Sequence, residues 1–168
     1  MDKEQLTVKE RFLLRFSEVA GQLEDNGRFC CRWEDLWPCL GDAQGTTPFD
    51  AHYVYHTAWA ARVLARTRPA NHIDISSSLY FVSIASAFVP ITFYDYRPAP
   101  LTLSNLRCKR ADLTNLFFAD ASVTSLSCMH VVEHIGLERY GDPFDPRGDV
   151  TAMKELERVL APGGQLLF

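Results

Sequence analysis

The chain has 168 residues, 47% of them hydrophobic and 23% charged, with a formal net charge of -4. That is enough for a domain with a real core, and the acidic balance with scattered Lys and Arg argues against nucleic-acid binding. No apolar run is long enough to span a bilayer, and the start Met1-Asp2-Lys3-Glu4-Gln5 lacks a signal-peptide core, so a cytoplasmic location without membrane contact is expected.

Apolar residues Leu6, Phe12, Leu13, Phe16, Val19, Ala20 and Leu23 recur at helical spacing and predict an amphipathic helix over 4–25, stopped by Asn26-Gly27. Cys30 and Cys31 are adjacent, and none of the five cysteines forms a CxxC pair, so reduced thiols are expected and not a disulfide framework or zinc knuckle. Trp33, Trp37 and Pro38 suggest a short packed helix within 28–49, and Gly41 to Pro48 reads as a polar loop. Asp50 is a plausible N-cap for a second helix through about Arg66, which Arg68-Pro69 ends. Its aromatic residues Tyr53, Tyr55 and Trp59 sit at helical spacing and are expected to pack against the sheet, the alternative being a lid over the site.

After residue 70 the rhythm changes. Short apolar runs at 71–75, 90–95, 105–110, 123–129 and 164–168 read as strands, with helices at 77–88 and 149–160 between some of them. Such alternation predicts an α/β domain with a mostly parallel sheet. The expected division is a helical N-terminal extension over 1–69 and a Rossmann-like domain over 70–168. The final Gln165-Leu166-Leu167-Phe168 reads as an apolar edge strand. Edges of that kind are normally covered, so either a truncated longer chain or a homo-oligomer pairing through this edge is expected.

Four stretches carry a resemblance. His72-Ile73-Asp74-Ile75-Ser76-Ser77-Ser78 is a strand, an acid and a turn before a helix; Ile91-Thr92-Phe93-Tyr94-Asp95 is a strand ending in an acid. Ala111-Asp112-Leu113 precedes the run Leu116 to Val123. Last come Ser127-Cys128-Met129-His130-Val131-Val132-Glu133-His134-Ile135 and Leu156-Glu157-Arg158-Val159-Leu160-Ala161-Pro162-Gly163-Gly164. In this order and spacing they resemble the motifs of class I, Rossmann-like S-adenosylmethionine (SAM)-dependent methyltransferases, and the whole chain is similar to an uncharacterised bacterial methyltransferase-like family.

That resemblance implies a sheet of spatial order 3-2-1-4-5, incomplete at its C-terminal side, and SAM as cofactor. It implies that Asp95 binds the ribose hydroxyls, Asp112 and Leu113 the adenine, and Asp74, Ser76 and Ser78 the methionine part. His130, at a strand end, is the candidate base or acceptor-positioning residue. Serines stand where the family has glycines, so their side chains crowd a turn that should approach the ligand closely, and weak or absent SAM binding is expected. Asp74 could equally hold that turn by hydrogen bonds, and Ser78 could simply cap the next helix. The expected function is a SAM-dependent methyltransferase or a diverged relative, its acceptor a small molecule, a sugar or a protein. The alternative is a non-catalytic binding or partner module on the same fold.

A rival motif overlaps this one. His130-Val131-Val132-Glu133-His134 spells H-x-x-E-H, which on a helix would place His130 and His134 on one face as zinc ligands with Glu133 as base. The preceding run Val123 to Met129 reads as a strand, which argues against that helix.

Overall fold

A computed structural model describes residues 6–25 and 31–168. The chain divides into two compact units, Met1–Phe49 and Asp50–Phe168. In the first unit, helix α1 spans Val8–Asp25. It starts later than its apolar pattern because Thr7 and Glu10 form a reciprocal cap, with Thr7 N donating to Glu10 Oε2 at 2.8 Å and Glu10 N to Thr7 Oγ1 at 3.3 Å. The predicted stop at Asn26-Gly27, and Cys30, lie outside the described residues. The expected packed helix is only a 3-10 turn, Trp33–Asp35, whose Trp33 meets Phe16 edge-on at 5.7 Å. None of the described residues of this unit is buried.

The second unit opens with α2, Ala51–Thr67. Asp50 caps it, accepting from Tyr53 N at 3.0 Å, and Arg68 closes it in the left-handed conformation. The aromatic residues expected to pack against the sheet, Tyr53, Tyr55 and Trp59, stay exposed instead, and the buried residues of α2 are Ala60, Val63 and Leu64. Small and branched side chains let the helix approach the sheet, and the aromatic rings lie off that stripe. The sequence-placed boundary at residue 69 therefore falls after a helix that clusters with the sheet.

Five parallel strands follow: β1 His72–Ile75, β2 Ile91–Asp95, β3 Leu106–Arg110, β4 Val123–Ser127 and β5 Leu160–Leu167. Their spatial order is β3-β2-β1-β4-β5, as expected for a Rossmann-like fold. β1 is buried at all four positions, as a central parallel strand covered on both faces must be. One face packs α2 and α3 (Leu79–Ala85) through Leu64, Phe81, Val82, Ile91 and Phe93. The other packs α4 (Gly148–Val159) through Ile73, Ile75, Leu126, Leu156 and Val159.

β5 begins earlier than its apolar run. Leu160 pairs with Val123, then the register shifts and Gln165 pairs with Ser125. Pro162-Gly163-Gly164 forms the resulting bulge, and a Cβ on Gly164 would meet the Ala161 carbonyl oxygen at 2.9 Å. Among the described helices none is long and apolar enough to cross a membrane.

Candidate functional site

The strand order reverses between β1 and β4, and in sheets of this kind ligands bind beyond the carboxyl ends at that switch point. A cleft of about 360 Å³ lies at those ends. Ser76 follows β1, Asp95 ends β2, Asp112 and Leu113 follow β3, and His130 follows β4; all five line the cleft. Asp74 and Ser78 do not.

Asp74 is fully buried and its carboxylate is engaged within the fold. Its Oδ1 accepts from Ser77 N at 3.0 Å, and its Oδ2 accepts from Ser127 Oγ. Beyond Ser127 the chain continues inward: His72 Nε2 lies 2.8 Å from Ser127 Oγ, and His72 Nδ1 lies 2.7 Å from Ser125 Oγ. With Asp74 ionised, Ser127 donates to it, Nε2–H of a neutral His72 donates to Ser127, and Ser125 donates to Nδ1. Burial holds His72 neutral, pushing it down to about 4. Burial also pushes Asp74 up to about 6, against hydrogen bonds from Ser127 and Ser77 that favour its charge. Asp74 thus locks the β1 turn to β4.

The serines are used the same way. Ser77 Oγ accepts from Met129 N at 3.0 Å, and Ser76 Oγ donates to the Tyr94 carbonyl at 3.3 Å. Ser78 stands at the N-cap position of α3 without a side-chain capping bond. Ser76 has φ 56°, the left-handed conformation that glycine adopts freely. The turn therefore keeps a glycine-like backbone at its first position, and the Ser76 and Ser77 hydroxyls are tied to neighbouring strands.

The opposite wall is open to a ligand. Asp95 Oδ1 accepts from Arg97 N at 2.7 Å, which fixes the carboxylate at the rim. Asp112 Oδ1 accepts from Thr114 N at 2.8 Å and from Thr114 Oγ1 at 2.7 Å. The segment carrying Asp112 is pinned to α4: Leu116 N donates to Glu155 Oε2 at 2.7 Å, and Arg158 donates to the Leu116 and Phe118 carbonyls. Across the cleft, Asp142 gathers its loop, accepting from Gly136 N at 2.9 Å and Tyr140 N at 3.1 Å. Gly136 has φ 82°, and a Cβ there would lie 2.1 Å from the Asp145 carbonyl oxygen, so this wall requires glycine. Arg97 stacks on Tyr140, its guanidinium carbon 4.7 Å from the ring centre. Beyond the polar, aromatic character of the 139–146 loop, no sequence pattern marks Arg97, Tyr140 and Asp142 as one wall.

The H-x-x-E-H reading fails on geometry. Residues 130–134 form no α-helix: His130 sits past the strand end at φ 59°, and only Val132–His134 makes a 3-10 turn. His134 turns toward Arg139, whose Nη1 lies 3.1 Å from Nδ1. His130 instead meets α2. Its Nε2 contacts His52 Nε2, and the rings of His56 and Tyr53 lie 4.6 and 5.2 Å away. The His52–His56 pair, one turn apart, was readable as a sequence spacing, but a third residue 78 positions from His52 was not.

Residues 111–168 match a family described as a Caenorhabditis protein of unknown function, DUF268. That description names a nematode genus where a bacterial family was expected. No curated protein matches the chain. Among solved structures, the chain is similar to YcgJ from Bacillus subtilis, with 17% identity and a TM-score of 0.50, over 67% of this chain and 49% of that one. It is also similar to a chain of the complex between the Haloferax volcanii Trm112 methyltransferase activator and a candidate methyltransferase, with 22% identity and a TM-score of 0.46, over 68% of this chain and 51% of that one. The chain thus spans about half the length of either. At such identities the likeness is one of fold, and the fold is Rossmann-like.

Proposed function

We propose that the cleft binds S-adenosylmethionine and that the protein is a methyltransferase or a diverged relative of one. The observation that carries this is the placement of Asp95, Asp112, Leu113 and Ser76 around one cleft, at the ends of successive parallel strands. When bound, the cofactor supplies an electrophilic methyl group. The residues of this chain hold and orient it. Asp95, with one oxygen fixed by Arg97 N, is the acceptor for the ribose hydroxyls. Leu113 and Ala111 supply an apolar surface for adenine beside the Asp112 carboxylate. The left-handed Ser76 gives the close turn, and His130 at the rim deprotonates or positions the methyl acceptor.

Calorimetric titration of SAM and of its demethylated product tests this. The Asp95→Ala and Asp112→Ala proteins should bind more weakly by about 10- to 100-fold, the worth of a hydrogen bond to a charged group, with melting temperatures near that of the parent. Undiminished affinity in both would remove the cofactor reading. No heat with the parent chain would leave a methyltransferase-like fold that serves as a binding or partner module.

A further inference from the structure

Three imidazoles converge beside the cleft. His52 and His56 project from consecutive turns of α2, and His130 reaches them from the end of β4. The ring centres of His52 and His130 are 4.2 Å apart, those of His56 and His130 4.6 Å, and those of His52 and His56 5.2 Å. One ring nitrogen from each lies within 4.8 Å of the other two. Among the described residues this is the one group of histidine, cysteine or carboxylate side chains so arranged.

We propose that His52, His56 and His130 bind a divalent transition-metal ion of the zinc class, with a coordination position left open at the rim of the cleft. Imidazole suits zinc and its neighbours in the first transition row, whereas calcium and magnesium require oxygen ligands. A tetrahedral ion with metal–nitrogen distances of about 2.0 Å needs nitrogens roughly 3.3 Å apart. Small side-chain rotations bring the present spacing there.

The far sides of two rings are also prepared. His56 Nδ1 donates to the His52 carbonyl at 2.8 Å, which leaves its Nε2 lone pair for a ligand. Glu133 Oε1 lies 3.4 Å from His130 Nδ1, and Nε2 of His130 faces the histidine pair on α2. Asp50, which caps α2, and Glu133 are the carboxylates that offset the charge of a dication here. Tyr53 flanks the group, its ring 5.2 Å from His130 and 5.4 Å from His56.

Three protein nitrogens and an open position make the arrangement of a catalytic and not a structural zinc site. His130 lines the cleft, so the open position can take water or the hydroxyl of an acceptor, whose proton the ion makes easier to lose. This step rests on the methyltransferase reading and makes His130 an acceptor-positioning residue that acts through the ion. Metal binding itself requires only the imidazoles.

The test is titration of Zn²⁺ and Co²⁺ into the chelator-stripped full chain at neutral pH, without SAM. One ion per chain is expected. His52→Ala, on an exposed position, His56→Ala and His130→Ala should each weaken binding by about 100-fold, Glu133→Gln by about tenfold, and His134→Ala not at all. Circular dichroism of each variant separates loss of a ligand from loss of fold. Absence of a stoichiometric ion in the parent overturns the proposal, as does equal weakening by His52→Ala and His134→Ala. Because SAM is absent from the experiment, a failed cofactor site leaves its outcome unchanged.

Discussion

The chain carries two histidine–aspartate sets on or just past its three central strands, and they have opposite fates. His72 and Asp74 on β1 are sealed in the sheet, joined through Ser127. His130 and Asp95, past β4 and at the end of β2, line the cleft. The residue types are the same; what differs is the distance from the strand's last residue. Asp74 lies before the last residue of β1 and points into the α2–α3 layer beside Phe93, its aligned neighbour on β2. Asp95 is the last residue of β2, where it is half-buried and lines the cleft. An acid one position inside a parallel strand end becomes structural, and one at the end is available for a ligand.

The sealed set can be broken in two ways that should differ sharply. Asp74→Asn keeps both contacts: its oxygen accepts from Ser77 N and its amide donates to Ser127, whose hydroxyl then turns to His72. Asp74→Ala leaves Ser77 N without its acceptor and opens a cavity. Denaturant unfolding at pH 7 should find the Ala protein less stable than the Asn protein by about 3 kcal/mol. Equal stabilities would show that the network holds nothing.

Next in size is a pH effect. His72 falls to about 4 in the folded state from an ordinary 6.5, so the unfolded chain binds the extra proton and stability drops as pH falls between those values. Asp74 rises to about 6 from 3.8, so its protonation stabilises the folded state over much of the same range, in the opposite direction. The parent should therefore show a shallow profile from pH 6.5 to 4. Asp74→Asn removes the compensating half, and its stability should fall by about 2–3 kcal/mol over that window. Parallel profiles for the two proteins would contradict the assignment.

The smallest effect sharpens the reading of the serine turn. Ser76 holds φ 56° whereas Ser78 has φ -58°. Ser76→Gly relieves a left-handed backbone, and Ser78→Gly only adds freedom to the unfolded chain. Thermal unfolding should find Ser76→Gly the more stable of the two by about 1 kcal/mol. The reverse order would mean that the turn does not need glycine-like geometry.

Much of the fold was legible because parallel strands announce themselves as short apolar runs. The runs at 71–75, 90–95 and 105–110 correspond to β1, β2 and β3 within one residue at each end. The strand expected over 164–168 begins at Leu160, because a bulge at Pro162-Gly163-Gly164 carries pairing past what looks like a turn. Tyr53, Tyr55 and Trp59 offer more apolar area than Ala60, yet Ala60 is the one that α2 buries against the sheet, because a small side chain permits close approach. The cleft residues were nameable by motif. That Asp74 turns inward depends on Ser127 and His72, whose contacts cross from strand to strand. The histidine corner depends likewise on α2 meeting the end of β4, and no local pattern encodes such a meeting.

The most direct test of the contrast between the sealed and open acids is titration of the demethylated SAM product into Asp74→Asn and Asp95→Asn at neutral pH. That contrast requires parent-like affinity for Asp74→Asn and at least about tenfold weaker binding for Asp95→Asn, with both folded. Equal weakening in the two, or loss confined to Asp74→Asn, would contradict it, as would a parent chain that binds nothing.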